Sequence, residues 1–335
     1  LNDPALTYGT ARTEDVQRVA EQVSGKDLQA FFDQWIDTEY YPTYSLLWGK
    51  SAQPGSWDLS VELSQLQSHH VYSMPVPVRV TTSNGTVDFV IDSNEPVEQV
   101  LFQLAEEPIA VQLDPDDWIL HAEEAAIAAP TFDRGILLVN GVDINVYGSE
   151  IRNALSDSIC TGQQPFEFWN LFPAPAAGYP SGLPAPRGEG TIAAEILGEY
   201  STVVWLGNDY NGDTGAWIDA AILDYMLKGG NVVLLSRRGT SFLTQTRLQY
   251  LGTDFAAIDQ TLGNASATFA GLVDMTRTGT QSYCAPLDPT PLQPETTLLF
   301  SDGVNPGWAT GLWRQPAGGG SLRSGGGHFV HLAGR

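Results

Sequence analysis

Positive charge is scarce in this 335-residue chain, which carries 16 lysine and arginine residues against 39 aspartate and glutamate residues. Only three of the basic residues are lysine. The net charge of −23 repels phosphate backbones and anionic lipid headgroups, so the composition argues against a nucleic-acid partner and a membrane-surface role. Because acidic, lysine-poor surfaces are common in extracytoplasmic and salt-adapted proteins, we expect an extracytoplasmic location.

Cysteines and long apolar runs are also rare. The two cysteines, Cys160 and Cys284, do not make a disulfide scaffold, and either one bond or two separate buried thiols fits the sequence. No stretch approaches the ~18 consecutive apolar residues of a bilayer-spanning helix, so we expect no membrane span. The hydrophobic content of 42% still predicts substantial cores, and the length predicts two or three domains.

Residues 1–41 are predicted to form two short helices. Apolar residues recur at helical spacing along each, at Val16, Val19, Ala20 and Val23 and then at Leu28, Phe31, Phe32 and Trp35. Forty residues cannot bury two such stripes. We therefore expect the helices either to pack on the rest of the chain or to need a partner outside it. The opening Leu1, in place of a methionine, suggests a processed or excised piece.

Residues 42–120 change to the two-residue alternation of half-buried strands. Six or seven short runs of this kind, with a hairpin signal at Asn84-Gly85, predict a small antiparallel β-sandwich. Pro75 and Pro77 fall within one run, which predicts a sheet edge or a bulge there.

Residues 121–133 are interpreted as a linker, and residues 134–335 as an open, mostly parallel α/β domain. Continuous apolar runs at 135–140, 202–206 and 231–235 are typical of buried parallel strands. A helical pattern over 217–226, closed by Gly229-Gly230, joins the last two runs into a βαβ unit. Residues 171–190 form a Pro/Gly-rich excursion, and 316–327 form a loop before a last strand at 328–332. The predicted fold class is thus multidomain α+β: a helical segment, an antiparallel sandwich and an α/β domain.

Four motifs follow one another near the start of the chain: TED (13–15), SGKDL (24–28), FFDQWI (31–36) and YP (41–42). In order and spacing they resemble the end of the catalytic domain of M1-family zinc aminopeptidases, which a β-sandwich follows directly. Gln65, Gln67 and the MPV motif at 74–76 resemble strands of that sandwich, and residues 113–118 resemble its close. The resemblance covers about a third of the chain.

The zinc chemistry of the M1 family needs a His-Glu-x-x-His helix, a further Glu and a downstream Tyr, and this chain has no His-Glu-x-x-His. No catalytic residue is carried over, because the family's catalytic residues precede these motifs. The resemblance implies a non-catalytic C-terminal accessory portion of an M1-like metallopeptidase. Its partners would be the upstream peptidase catalytic domain and, through it, a peptide substrate. We expect no cofactor in this chain and zinc in the parent catalytic domain.

The α/β region loosely resembles the glutamine-amidotransferase-like branch of flavodoxin-type folds, in which a catalytic Cys follows a central strand. Arg237 occupies that position in residues 235–239. The neighbouring Ser236 lacks the Gly-x-Ser-x-Gly context of a nucleophile elbow. We therefore expect no covalent catalysis in this region.

Ligands of open α/β sheets gather beyond the carboxyl ends of the strands. This rule selects seven candidate ligand-binding residues: Asn140, Asp143, Asn208, Asp209, Asp213, Arg237 and Arg238. The alternative function is a stand-alone module that binds a small anionic ligand or a glycan through this domain. A surface set of ion pairs would use the same residues without a ligand. The aromatic residues of 166–179, with Trp308 and Trp313, serve either loop packing or ligand stacking.

Metal sites are not expected in this chain. The loop 209–215 places oxygens at alternate positions, but Thr214 and Ala220 stand where a calcium loop needs Gly and Glu. We instead expect this loop to cap the following helix through Asp213 or Thr214. His328 and His331 should face opposite sides of their strand, which prevents chelation of one metal.

Overall fold

The computed structural model describes residues 10–67, 70–156, 166–208, 212–243, 254–255, 261–277, 284–290, 292, 295–315 and 327–333. Within these residues the chain forms a mixed α/β structure with three sheets. The helices are α1 (Thr13–Ser24), α2 (Gln29–Trp35), α3 (Ile144–Ser156), α4 (Ala194–Glu199), α5 (Asp213–Asp219), α6 (Ile222–Leu227) and α7 (Gly239–Phe242).

The two predicted N-terminal helices are present. Gly25, with φ at +69°, ends α1, as expected for a residue that adopts the left-handed conformation without a Cβ clash. Phe32 of α2 is buried, and the Trp35 ring lies 5.2 Å from the Tyr72 ring. The Gln34 side chain accepts a hydrogen bond from the Ser73 backbone N–H at 2.7 Å. These contacts attach α2 to the residues that precede the third strand.

Seven strands follow: β1 (Thr43–Gln53), β2 (Ser56–Gln65), β3 (Met74–Thr82), β4 (Gly85–Ser93), β5 (Val97–Leu104), β6 (Pro108–Leu113) and β7 (Ala122–Glu123). They form a four-stranded sheet in the order β5-β2-β1-β7 and a three-stranded sheet in the order β4-β3-β6. Alternate residues of both sheets share one hydrophobic cluster, which includes Leu59 and Leu63 of β2 and Val76 and Val78 of β3. The two-residue alternation therefore identified the buried face of these strands.

The prolines of β3 lie where the strand has one neighbour. β3 is the central strand of its sheet, but β6 pairs with it only from Val78 onward. Pro75 and Pro77 precede that point and pair with β4. The missing proline N–H groups thus fall in the part of β3 that forms the sheet edge, because β6 has already ended.

Eleven strands build the third sheet: β8 (Arg134–Asn140), β9 (Phe166–Asn170), β10 (Gly188–Glu189), β11 (Tyr200–Gly207), β12 (Asn231–Ser236), β13 (Asp254–Phe255), β14 (Ala265–Ala267), β15 (Leu287–Asp288), β16 (Thr296–Asp302), β17 (Ala309–Arg314) and β18 (Phe329–Ala333). Six are parallel, in the order β10-β9-β8-β11-β12-β18. β17 pairs antiparallel with β18, and the other strands extend the sheet beyond it. The three predicted parallel runs are confirmed as β8, β11 and β12.

The helical pattern between β11 and β12 forms two short helices instead of one. α5 ends at Asp219 and α6 begins at Ile222, after Ala220 and Ala221. Trp217 and Tyr225, one from each helix, are fully buried against the sheet. At Gly230 an added Cβ would lie 2.1 Å from the Tyr225 ring, so the Gly-Gly pair allows β12 to start directly beneath that ring.

Candidate functional site at the strand ends

The parallel strands end in polar residues at one edge of the third sheet. β8, β9 and β12 end at Asn140, Asn170 and Ser236, and Asn208 follows β11 directly. β8 lies between β9 and β11, so successive connections along the chain run to opposite sides of it. The carboxyl end of such a strand is where open α/β sheets bind their ligands.

Asn140 is fully buried and belongs to a chain of hydrogen bonds. Its side-chain amide donates to the Val142 carbonyl and to Asn170 Oδ1, both at 2.8 Å. Asn170 donates to the Phe172 carbonyl at 2.9 Å, and the Tyr179 hydroxyl donates to Glu189 at 2.7 Å. These bonds hold the start of the Pro/Gly-rich excursion against the sheet and use the amide groups of both asparagines.

Sequence reasoning missed Asn170 and Glu189, and it selected Tyr179 only as one of the aromatic residues of 166–179. A signal was present, because Asn170 ends an aromatic run over 166–169 just as Asn140 ends an apolar one. Both asparagines stand at the carboxyl end of neighbouring strands, in paired register.

Asp213 closes the crevice between the segments that follow β8 and β11. It is fully buried, and its Oδ2 accepts a hydrogen bond from the Asn208 backbone N–H at 2.6 Å. Gly141 donates its N–H to the Leu206 carbonyl at 2.8 Å. A Cβ at Gly141 would lie 2.7 Å from Asp213 Oδ2 and 2.5 Å from that carbonyl oxygen, so this close approach requires glycine.

The predicted helix-capping role of Asp213 or Thr214 is wrong. Gly212, with φ at +83°, is the N-cap residue of α5 and has no side chain that could cap the helix. Asp213 is the first residue of the helix itself. Its carboxylate turns back toward the end of β11, because the Asn208 amide has to be satisfied in a buried position.

The other predicted residues are divided between separate places. Asp143 Oδ1 accepts the Asn145 backbone N–H at 2.9 Å in the first turn of α3. The Arg237 backbone N–H donates to the Gly207 carbonyl at 3.4 Å, which places Arg237 beside the end of β11, and Arg238 pairs with Ala285. Asp209 and the start of the proposed calcium-like loop lie outside the described residues. The structure thus joins Asn208 to Asp213 and assigns Asp143 to the α3 terminus.

Ser236 and His331 form a buried pair that sequence reasoning did not identify. Ser236 Oγ lies 3.0 Å from His331 Nε2, across the neighbouring strands β12 and β18. Burial lowers the pKa of His331 to about 4, which leaves its imidazole neutral at physiological pH. Serine and a neutral imidazole at this distance also occur in nucleophilic enzymes. Here the two side chains are only 0% and 1% exposed, so we interpret the pair as hydrogen bonding within a core.

His328 and His331 differ as the strand pattern predicts. His328 is exposed and accepts a hydrogen bond from the Trp313 indole N–H at 3.1 Å, whereas His331 is buried. Across the described ranges, no group of three or more His, Cys, Asp or Glu side chains is arranged to hold a metal ion. No helix in the described part of the chain is long and apolar enough to cross a membrane.

A groove of about 520 Å³ lies away from the strand ends. It is formed by the outer face of the four-stranded sheet, with Leu47, Gly49, Glu62 and Leu101, and by Ala128. Glu62 accepts hydrogen bonds from Gln99 and from Lys228, so its carboxylate is already paired within the chain.

Comparisons with protein-family models and with curated proteins found no match to this chain.

Proposed function

We propose that this chain is a non-catalytic C-terminal accessory portion of an M1-like zinc metallopeptidase. The parent reaction would be hydrolysis of a peptide bond near a free N-terminus, with zinc held by an upstream catalytic domain. This chain would support that domain and offer a binding or docking surface outside the cytoplasm. The proposal rests on the motifs of residues 13–42 and on the surface of the helices that carry them.

The apolar stripe of α1 is the observation that carries the proposal. α1 has no buried residue, and Val16 and Val23 are 52% and 83% exposed. Phe31 of α2 is also 52% exposed. Exposed apolar residues at regular helical spacing are typical of a surface that another protein or domain covers.

The opposite side of the same helix pair supports this interpretation. Phe32 is buried and Trp35 packs on Tyr72, so α2 is attached to the antiparallel unit through one face. Gln17 of α1 bonds to Gln29 of α2 at 3.0 Å, which places α1 beside it. The helices are thus held in place while Val16 and Val23 of the stripe remain exposed. Such an arrangement suits docking of the peptidase catalytic domain onto a preformed surface.

The fold agrees with the two modules that the proposal requires. We infer that the two antiparallel sheets form the β-sandwich expected after an M1 catalytic domain, because they enclose one common cluster. We also infer that the α/β unit is flavodoxin-like. Its five main parallel strands, numbered along the chain, stand in the order 2-1-3-4-5.

The alternative, a stand-alone module for an anionic ligand or a glycan, receives less support from the strand ends. Asn140, Asn170 and Asp213 are buried and hydrogen-bonded to the chain itself. A ligand would have to displace these bonds, and leaving the buried partners unsatisfied costs about 1–3 kcal/mol for each group.

The deciding experiment starts from the coding sequence upstream of Leu1. A His-Glu-x-x-His motif with a downstream Glu would supply the proposed catalytic domain. That domain, produced as a separate chain, should bind the 335-residue chain, and Val16→Asp together with Val23→Asp should weaken binding at least tenfold. Val90→Asp is the matched control, because Val90 is 59% exposed on β4, away from the helices.

Two results would overturn the proposal. One is the absence of any zinc-binding motif from the upstream coding sequence. The other is hydrolysis of an aminoacyl-anilide by the purified 335-residue chain alone, abolished by a chelator. Equal binding of the α1 variant and the Val90 control would contradict the docking surface itself.

A further inference from the structure

Residues 122–128, within the segment interpreted as a linker, contact both structural units. β7 pairs in parallel with β1, and the Glu124 backbone N–H donates to the Tyr44 carbonyl at 2.8 Å. Three residues later, Ile127 is 1% exposed and belongs to the hydrophobic core of the α/β unit. A short segment is therefore anchored at one end to the four-stranded sheet and at the other to the α/β core.

Two carboxylates join this segment to α6 in a reciprocal manner. Glu124 Oε1 accepts hydrogen bonds from the backbone N–H groups of Leu223, at 2.6 Å, and of Asp224, at 3.2 Å. Asp224 Oδ2 in turn accepts the Ile127 backbone N–H at 2.6 Å. Glu124 thus satisfies N–H groups at the start of α6 that have no partner within the helix, and α6 satisfies an amide of the segment.

Asp224 lies at the junction of three elements. It is 2% exposed and faces Ser45 of β1, Glu62 of β2 and Lys228, which follows α6, besides Glu124 and the Ile127 amide of the segment. Lys228 Nζ lies 3.3 Å from Glu62. Glu62 and Asp224 thus both interact with the Lys228 ammonium group, and no group of three or more His, Cys, Asp or Glu side chains among the described residues is arranged there to hold a metal ion.

We propose that Glu124, Ile127, Asp224, Glu62 and Lys228 form an interdomain lock that loosens when the buried Asp224 carboxyl group loses its proton. The lock would make the antiparallel and α/β units move as one body, and more firmly as pH is lowered. This inference does not depend on the proposed peptidase partner.

The burial of Asp224 determines the direction of this pH dependence. Burial raises the pKa of Asp224 above its ordinary value of 3.8, and Glu62 acts in the same direction, while the Ile127 amide, Lys228 and Ser45 oppose them. When the lock opens, Asp224 reaches water, where the charged form is no longer penalised. Ionisation therefore favours the open state, and opening becomes easier as pH rises through the pKa of the closed state.

Hydrogen exchange of the full chain tests the lock, with peptides that cover 122–130 and 221–228 and rates corrected for intrinsic exchange. Asp224→Asn keeps an oxygen that can accept the Ile127 N–H and removes the charge. We expect this variant to exchange severalfold more slowly than the wild type at pH 8, and we expect the difference between the two to shrink as pH is lowered. Asp219→Asn is the matched control, since Asp219 is an exposed acid on α5.

A variant that lacks the Glu124 carboxylate tests whether the segment and α6 protect each other. Glu124→Ala should raise exchange of both peptides together at every pH, because the two segments protect each other. The proposal is overturned if Asp224→Asn and Asp219→Asn exchange alike at pH 8, or if Glu124→Ala deprotects only one of the two segments.

Discussion

The two ends of the parallel sheet handle polar side chains in different ways. At the amino end, charged side chains that keep 22–44% exposure form a network. Arg134 pairs with Glu167 at 2.7 Å, Arg187 pairs with Glu199 at 2.6 Å, and Tyr200 bonds to both Glu167 and Arg187. At the carboxyl end, five polar residues are at most 4% exposed: Asn140, Asn170, Asn208, Asp213 and Ser236.

The difference between the two ends shows that charged and neutral polar groups are placed according to their access to water. Full charges stand where water still reaches them, so each loses little hydration. The buried polar groups at the carboxyl end are neutral in Asn140, Asn170 and the Ser236–His331 pair, and the buried carboxylate of Asp213 accepts a backbone N–H. Substitutions at the buried end should therefore cost more stability than substitutions at the charged end.

The largest effect is expected at Asp213. Asp213→Ala leaves the buried Asn208 N–H without its acceptor, and we expect a loss of about 3 kcal/mol in the free energy of unfolding. Chemical denaturation provides the measurement. Asp213→Asn, which keeps a side-chain oxygen, should lose less, and a loss below about 0.5 kcal/mol for the alanine variant would contradict the buried hydrogen bond.

A second effect of comparable size should appear with pH. Burial lowers the pKa of His331 from 6.5 to about 4, so between these values the unfolded chain binds a proton that the folded chain excludes. The contribution of the neutral His331 to the free energy of unfolding is therefore complete above pH 6.5. It is lost as pH decreases toward 4, by up to about 3 kcal/mol. His331→Leu should remove this component from a series of unfolding measurements, and an unchanged pH slope in that variant would contradict it.

Asn140 should show an intermediate effect. Asn140→Ala removes the donor to the Val142 carbonyl and to Asn170 Oδ1, and we expect a loss of about 2 kcal/mol. Asn145→Ala is the control, because Asn145 is an exposed residue in the first turn of α3. Thermal unfolding of both variants should show a clearly lower melting temperature only for Asn140→Ala.

Much of this architecture follows from local pattern. Two-residue alternation identified the antiparallel strands, and continuous apolar runs identified β8, β11 and β12. The strand-end rule selected Asn140, Asn208 and Asp213, which lie at one edge of the sheet. Local pattern works in these places because strand periodicity and chain direction together determine which residues reach that edge.

Contacts between distant segments escaped the sequence analysis. Ser236 and His331 are 95 positions apart, and Asp224 and Glu124 are 100 apart. The sequence around one member of such a pair therefore does not predict the other member. The antiparallel extension of the third sheet was also missed, because β13 to β15 have only two or three residues each and show no measurable period. Such features depend on the register between strands, which the pattern of one strand does not contain.

The smallest effect is expected at the amino end. Arg187→Gln removes the charge that faces Glu199 and the Tyr200 hydroxyl, and we expect a loss below about 1 kcal/mol that shrinks further at high salt. A double-mutant cycle with Glu199→Gln measures the pair directly. A coupling energy above 2 kcal/mol that does not change with salt would contradict the expected difference between the two ends, because it would mean that water does not screen the charged network. A small, salt-sensitive coupling energy would support that difference, since the polar contacts that stabilise this domain would then lie at the carboxyl ends of the strands.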